Sequence, residues 1–230
     1  MRNTTLSAVV LLLVGCASPP PPPEVFLDTF VVGAEDWTSS GSNSYFILEP
    51  GYVLELAGEE HGKDMHLVVT VTNETKVVDG VETRVVEERE SEGDEVVEVS
   101  RNYYAFSTKD QGVYYFGEDV DKYEDGKVAK HGGSWHAGEN GARFGLTMPG
   151  VPSVGMRWYQ ELAPHVAMDR SEVLTFREPV VLYGETVNCL KTKETSAVEK
   201  GTEFKCYAAG IGLVVDGPCK LVRHGMLAGK

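Results

Sequence analysis

From Tyr52 onward, short runs rich in valine, threonine and tyrosine follow one another with turn residues between them, and no stretch sustains a helical period. Residues 65–72, 81–90, 95–106 and 113–117 are four such runs. The links between them are Val77-Val78-Asp79-Gly80, Ser91-Glu92-Gly93-Asp94 and Lys109-Asp110-Gln111-Gly112. Links this short, with glycine supplying the positive φ of a tight turn, join antiparallel neighbours. The chain is therefore expected to form an antiparallel meander. Its polar faces, rich in Glu, Thr, Arg and Lys, are expected to meet solvent while the other face covers a core.

Residues 132–153 differ in texture, with Gly132, Gly133, Gly138, Gly141, Gly145 and Gly150 interleaved with Pro149 and Pro152. Such a segment predicts loop rather than sheet. Strand-like runs then resume at 157–162, 171–177, 180–183, 186–195, 202–207, 212–215 and 220–223. The expected fold is all-β and mainly antiparallel, a single curved sheet or half-barrel meander with long Gly/Pro-rich loops. At most one short helix is expected, around 166–173. One β-rich domain spans 25–230, and no internal repeat or domain boundary divides it.

The 230 residues carry 21 Lys+Arg against 35 Asp+Glu, a formal net charge of -14. A chain so acidic repels phosphates, which excludes nucleic acid as a partner. Hydrophobic content of 42% with 24% charged residues fits a folded domain and excludes a disordered acidic tail.

The amino terminus joins Arg2, an apolar run over residues 6–14, and the box Leu13-Val14-Gly15-Cys16. It resembles a bacterial lipoprotein signal peptide. The resemblance implies cleavage after residue 15 and acylation of Cys16, with palmitate or a similar chain. The apolar run is too short to span a bilayer, which takes about 20 residues. Acyl chains bury enough methylenes to anchor the protein without a helix. Ala17 follows the cysteine where an aspartate favours the inner membrane in enterobacterial lipoproteins, so the resemblance implies the outer membrane, facing the periplasm. Pro19 to Pro23 form an unbroken run. As a polyproline rod they hold the domain ~15 Å from the lipid, so residues 16–24 read as lipidated cysteine and linker.

The string Asn43-Ser44-Tyr45-Phe46-Ile47-Leu48-Glu49-Pro50-Gly51 is similar to a segment of a group of exported bacterial lipoproteins. Residues 114–121, Met148-Pro149-Gly150, residues 160–164 and residues 210–214 resemble the same group. Ile47 departs from that pattern, where proline is usual, as does Tyr52-Val53-Leu54, where tryptophan is common. The resemblance implies an open half-barrel like that of the lipoprotein-carrier (LolA-like) architecture, a shape associated with holding acyl chains or binding partners.

For a ligand-holding surface, the aromatics Tyr103, Tyr115, Phe116, Trp135, Trp158 and Tyr159 are the candidates, with core packing an equal explanation for each. Glu118, Asp119 and Asp121 concentrate acid as a Ca²⁺ site does, without the ligand and glycine offsets of an EF-hand. If Asp125-Gly126 is a two-residue turn, simple register pairs Asp121 with Lys130 and Val120 with His131. It also puts Phe116 and Trp135 on one face, opposite Asp119 and Asp121. A solvated hairpin face with a cross-strand salt bridge is then the plainer reading. Met148, Met156 and Met168 together with the six histidines offer the atoms of a copper site, though scattered Met and His more often fill gaps.

Motifs for nucleophilic or zinc catalysis (G-x-S-x-G, S-x-x-K, H-E-x-x-H) are absent from the sequence. Glu161 and Asp169 are the carboxylates that a hydrolase would use. Cys189 and Cys206 fall opposite each other if residues 186–195 and 202–207 form a symmetric hairpin, which permits a disulfide; Cys206 with Cys219 is the rival pair, and buried free thiols are the third alternative.

These readings predict a lipid-anchored envelope protein that binds an apolar ligand or an envelope protein partner and needs no cofactor. The alternatives are a divalent-metal (Ca or Cu) binding protein and an envelope hydrolase.

Overall fold

The computed structural model describes residues 24–227; the leader, Cys16 and the proline run lie outside the described residues. Fifteen strands form one antiparallel sheet: β1 (Trp37–Thr38), β2 (Tyr52–Glu60), β3 (Lys63–Val78), β4 (Val81–Glu92), β5 (Glu95–Ser107), β6 (Val113–Glu124), β7 (Lys127–His131), β8 (Trp135–His136), β9 (Gly145–Met148), β10 (Arg157–Tyr159), β11 (Asp169–Leu182), β12 (Glu185–Ser196), β13 (Glu203–Ala208), β14 (Gly212–Asp216) and β15 (Cys219–Met226). Among the described residues the helical content is a single 3₁₀ turn at Ala34–Asp36. The helix allowed for around 166–173 is absent. Residues 163–167 make a turn closed by Ala167 N donating to Ala163 O at 2.9 Å, and β11 follows at once.

The hydrogen-bonded order is β10-β11-β12-β13-β14-β15-β2-β3-β4-β5-β6-β7, so every strand along that path but one follows its chain neighbour. The exception is β15 against β2, which joins the last strand of the chain to the first long one. Tight hairpins explain the rest. Asp79 and Gly80 have φ of 47° and 78°, and Asp125 and Gly126 have 51° and 71°, the paired positive values of a turn whose twist matches that of the flanking strands.

The sheet curls until its ends nearly meet, yet no ladder closes it into a barrel. β9, hydrogen-bonded to β6, lies beside the β10 end, where Arg143 N donates to Leu162 O at 2.9 Å in an isolated bridge. Gly145 makes this approach attainable. A Cβ there would sit 2.2 Å from Gln160 O. Gly145→Ala is expected to force the seam apart and cost about 1–2 kcal/mol, read as a drop in the urea midpoint, with an unchanged midpoint refuting the close approach.

Bulges reset which side chains face inward. Along β5 and β6, Asn102 pairs with Glu118 but Tyr104 pairs with Tyr115, so β6 carries one extra residue at Phe116-Gly117. Gly117 absorbs it at φ 136°, with Trp135 O only 2.2 Å from where a Cβ would be. Tyr115 and Glu118 consequently share the inner face, and Phe116 turns outward. There it stacks on Phe144 at 5.0 Å and meets Trp37 edge-on at 5.3 Å, beneath the N-terminal segment and the Gly-rich loop. Simple alternation placed Phe116 with Trp135; the bulge instead brings Trp135 against Tyr115, edge-on at 5.3 Å. A second bulge, between Lys122 and Tyr123, sets Asp121 opposite His131 rather than Lys130.

Candidate functional site

The concave face encloses a lumen of about 350 Å³, lined from both halves of the sheet. Period-two alternation supplies its walls. Val86, Glu88 and Glu90 project from β4, then Glu98, Ser100, Asn102 and Tyr104 from β5, and Lys205 and Tyr207 from β13. Read in three dimensions, each series runs from apolar to charged. Val86, Tyr104, Tyr207, Leu54 and Leu213 form the floor, and the carboxylates crowd toward the other end.

The floor is stoppered by the segment before β2. Asn43 Oδ1 accepts from the amides of Tyr45 and Phe46, both at 2.9 Å, and so bends the chain back under the sheet. Leu48 is fully buried behind them. Gly210 N donates to Ser44 O at 2.8 Å and Tyr52 Oη to Ile211 O at 2.8 Å, tying this plug to the β13–β14 turn. Phe46 then meets Tyr104 edge-on at 5.4 Å, and Tyr104 stacks on Tyr115 at 4.7 Å. The Asn43–Gly51 string thus closes one end of the lumen.

The other end is acidic. Eight carboxylates line the lumen: Glu88 and Glu90 of β4, Glu98 of β5, Glu118 of β6, Glu161 after β10, Asp169 of β11, Glu194 of β12 and Asp216 of β14. Lys205 is the one basic side chain among the lining residues. Its ammonium lies 3.5 Å from Glu194 and 3.4 Å from Asp216, whose charges hold its pKa well above the usual lysine range. Glu98 is paired from outside the lining by Lys122 at 2.9 Å. Among the described residues, Glu88, Glu90 and Glu161 have no such partner. Burial first, and the neighbouring acids Asp216, Glu90 and Glu98 with it, push the Glu88 carboxyl up to about 7. Burial and Glu88 push Glu118 to about 7, and burial with Asp169 and Glu118 pushes Glu161 well above the usual range.

A shallower basin of about 550 Å³ shares Glu88, Glu90, Lys205 and Asp216 with the lumen. That acidic ring is therefore the mouth.

Hydroxyls on the inner face are left over as well. Ser171 pairs in register with Glu194, and Thr192 with Lys205, so both point inward, while Thr147 lines the lumen directly. The side-chain oxygens of all three are buried without a hydrogen-bond partner among the described residues.

Of the aromatics expected at a ligand surface, Tyr115 lines the lumen. Trp135 and Trp158 point inward, opposite Glu118 and Ser171 in register, but are packed beneath the lining. Tyr103, Phe116 and Tyr159 face outward. Tyr103 lies under the Lys76 ammonium, 4.2 Å from its ring centroid, and Tyr159 packs edge-on against Phe26. Tyr45, Phe46, Tyr52, Tyr104 and Tyr207 line the lumen instead.

The Glu118, Asp119 and Asp121 set does not converge. Glu118 enters the lumen, while Asp119 and Asp121 point outward into separate networks. Asp119 accepts from the Tyr103 hydroxyl, from Lys76 at 3.0 Å and from His136 at 2.9 Å. Asp121 is held by Arg101 at 2.6 Å and His131 at 2.5 Å, and the Arg101 contact lowers its pKa. The expected salt bridge to Lys130 is replaced by these two. Among the described residues, no three His, Cys, Asp or Glu side chains gather as a metal site would require.

Glu161 and Asp169 do come together. The amides of Gln160 and Glu161 both donate to Asp169 O, at 2.7 and 3.3 Å, and both side chains reach the lumen. Cys206 stands opposite Lys191 rather than Cys189, because a hairpin that pairs Glu194 with Glu203 puts Cys189 two positions past the residue facing Cys206. Cys189, Cys206 and Cys219 are all buried free thiols.

No helix among the described residues is long and apolar enough to cross a membrane. No family model matches the chain, and the searches found neither a similar curated protein nor a similar solved structure.

Proposed function

We propose that the protein is a lipid-anchored envelope binding module that holds one small ligand in the lumen of its curved sheet. The observation that carries this reading is the lumen itself. A space of about 350 Å³ lies inside a sheet that could have collapsed on apolar side chains, and instead retains carboxylates and the unpaired hydroxyl of Thr147 around an aromatic floor. Cavities of roughly 300–1,000 Å³ with an apolar lining and a few polar groups are the usual form of a small-molecule site. The box ending at Cys16 and the proline run supply the anchor and the spacer in this reading. An envelope location and a lipoprotein family are part of the proposal.

Two measurements test it. Native mass spectrometry of the full chain, gently extracted from its own host, is expected to show a mass above that of the lipidated protein. The excess is expected to vanish in Leu213→Trp, which fills the lumen from a partly exposed lining position. A bare mass for the unaltered chain overturns the binding reading. Separately, Cys16→Ser is expected to move the protein from the membrane pellet to the soluble fraction; retention in the pellet refutes the acyl anchor.

A further inference from the structure

We propose that the ligand of the lumen is an organic ammonium ion, its hydrocarbon body on the tyrosine and valine floor and its charged head among Glu88, Glu118 and Glu161. This rests on the lumen being a ligand site and names the class of ligand it takes.

Three features of the cavity select that class. The first is shape with polarity. Tyr104 stacked on Tyr115 and the side chains of Val86 and Leu213 make one end apolar, and the acids stand at the mouth, so an occupant must be apolar at one end and cationic at the other.

The second is charge. The lumen has eight lining carboxylates and a single ammonium, already engaged by Glu194 and Asp216. An acyl chain with a carboxylate or phosphate head would meet like charge, and a neutral lipid would bury unpaired acids beneath hydrocarbon. Either occupant loses more than it gains.

The third is dispersion of the acceptors. A hard divalent ion needs several oxygens converging at roughly 2.3–2.6 Å. Among the described residues no such convergence exists, yet carboxylates from several strands and the unpartnered hydroxyl of Thr147 line the lumen on different sides. Acceptors spread around a wall suit a wide, softly charged head with several N–H or C–H donors rather than a point ion.

Protons are the natural competitor. In the empty lumen Glu88 and Glu118 titrate near 7, so a bound cation must displace protons from them. Glu90, Glu98, Glu161, Asp169, Glu194, Asp216 and Lys205 face the same space and share in that titration. Affinity is thus expected to rise with pH across neutrality, with protons released on binding.

The test is calorimetric titration of the full chain, freed of host ligand by dialysis at low pH, with hexyltrimethylammonium, hexanol and hexanoate in parallel. At about pH 8 the ammonium is expected to bind about tenfold or more tighter than hexanol, with hexanoate weakest, and to weaken about tenfold by about pH 5.5. Glu118→Gln with Glu161→Gln is expected to erase the preference for the ammonium while hexanol binds as before. These substitutions relieve repulsion, so folding is not at risk. Leu213→Trp is expected to abolish binding of all three probes. Hexanol or hexanoate binding as tightly as the ammonium leaves the lumen a ligand site and overturns the cation class. Displacement of the ammonium by millimolar Ca²⁺ overturns it in favour of a metal. Failure of every probe, together with a bare native mass, overturns the binding reading itself.

Discussion

The protein on its own is expected to become more stable as the pH is lowered from about 8 to about 5.5, opposite to the usual behaviour of a chain rich in ion-paired carboxylates. Glu88 and Glu118 are the reason. Their folded-state pKa values stand at about 7 against 4.5 for the free group, so between those limits the native chain holds protons that the unfolded chain has lost. The stabilising difference is full below 4.5 and is lost as the pH rises through about 7. Glu161, raised further, acts in the same direction. For one isolated group the displacement corresponds to ~3 kcal/mol; water in the lumen and the sharing of charge among neighbours discount it to about 2 kcal/mol for the cluster. Asp110, Asp119, Asp121 and Glu55 have lowered pKa values, and their stabilising effect is lost only as the pH falls below the ordinary carboxylate range. The two windows do not overlap. Urea midpoints at the two pH values are the measurement, and Glu88→Gln with Glu118→Gln should flatten the difference. A midpoint that is equal or higher at about pH 8 sinks the account.

Lys205→Met is the most destabilising single change expected in the lumen. Methionine fills nearly the same volume, so packing is preserved and charge is what is lost. Glu194 and Asp216 are then left facing Glu88 with no cation between them. Breaking a buried ion pair by removing one partner costs roughly 3–5 kcal/mol; the side chain of Lys205 is 26% exposed, which reduces the figure to about 3 kcal/mol at neutral pH. Because the loss is electrostatic, most of it should be recovered in the triple variant that adds Glu194→Gln and Asp216→Asn. Urea denaturation of the single and triple variants decides the matter. A Lys205→Met protein as stable as its parent would show that the three acids share protons and do not need the ammonium.

The architecture was legible because each hairpin carries its own instructions. Asp79-Gly80 and Asp125-Gly126 demand positive φ, and the valine-rich runs around them have length and alternation enough for only one kind of element. Alternation also identified which residues along a strand travel together. It could not say which of the two faces would become concave. The acids Glu88, Glu90 and Glu98 were therefore read as part of a solvated exterior, whereas curvature folds them inward opposite Glu161 and Glu194, residues some sixty or more positions away in the chain. Bulges hid the rest. One extra residue at Phe116-Gly117 set Phe116 and Glu118, which plain alternation holds on one face, on opposite faces, and the glycine there is visible in the sequence without revealing what it does. The inner parity of Ser100, Asn102 and Tyr104 was a usable signal. Three polar or aromatic side chains at alternate positions, on a strand flanked by hairpins, mark a wetted interior.

The sheet's two outer strands face the hazard of any unclosed sheet, the recruitment of a foreign strand. At β10 the chain's own Leu27 occupies that place, its N–H donating to Arg157 O at 3.0 Å and its carbonyl accepting from Tyr159 N at 2.9 Å. At β7 all five residues are exposed and three of them are Lys127, Lys130 and His131. One border is sealed by the segment that leads to the amino terminus, and the other is guarded by its two lysines. Two copies of the chain therefore meet at borders ill-suited to zipping together, and each lumen stays with its own chain.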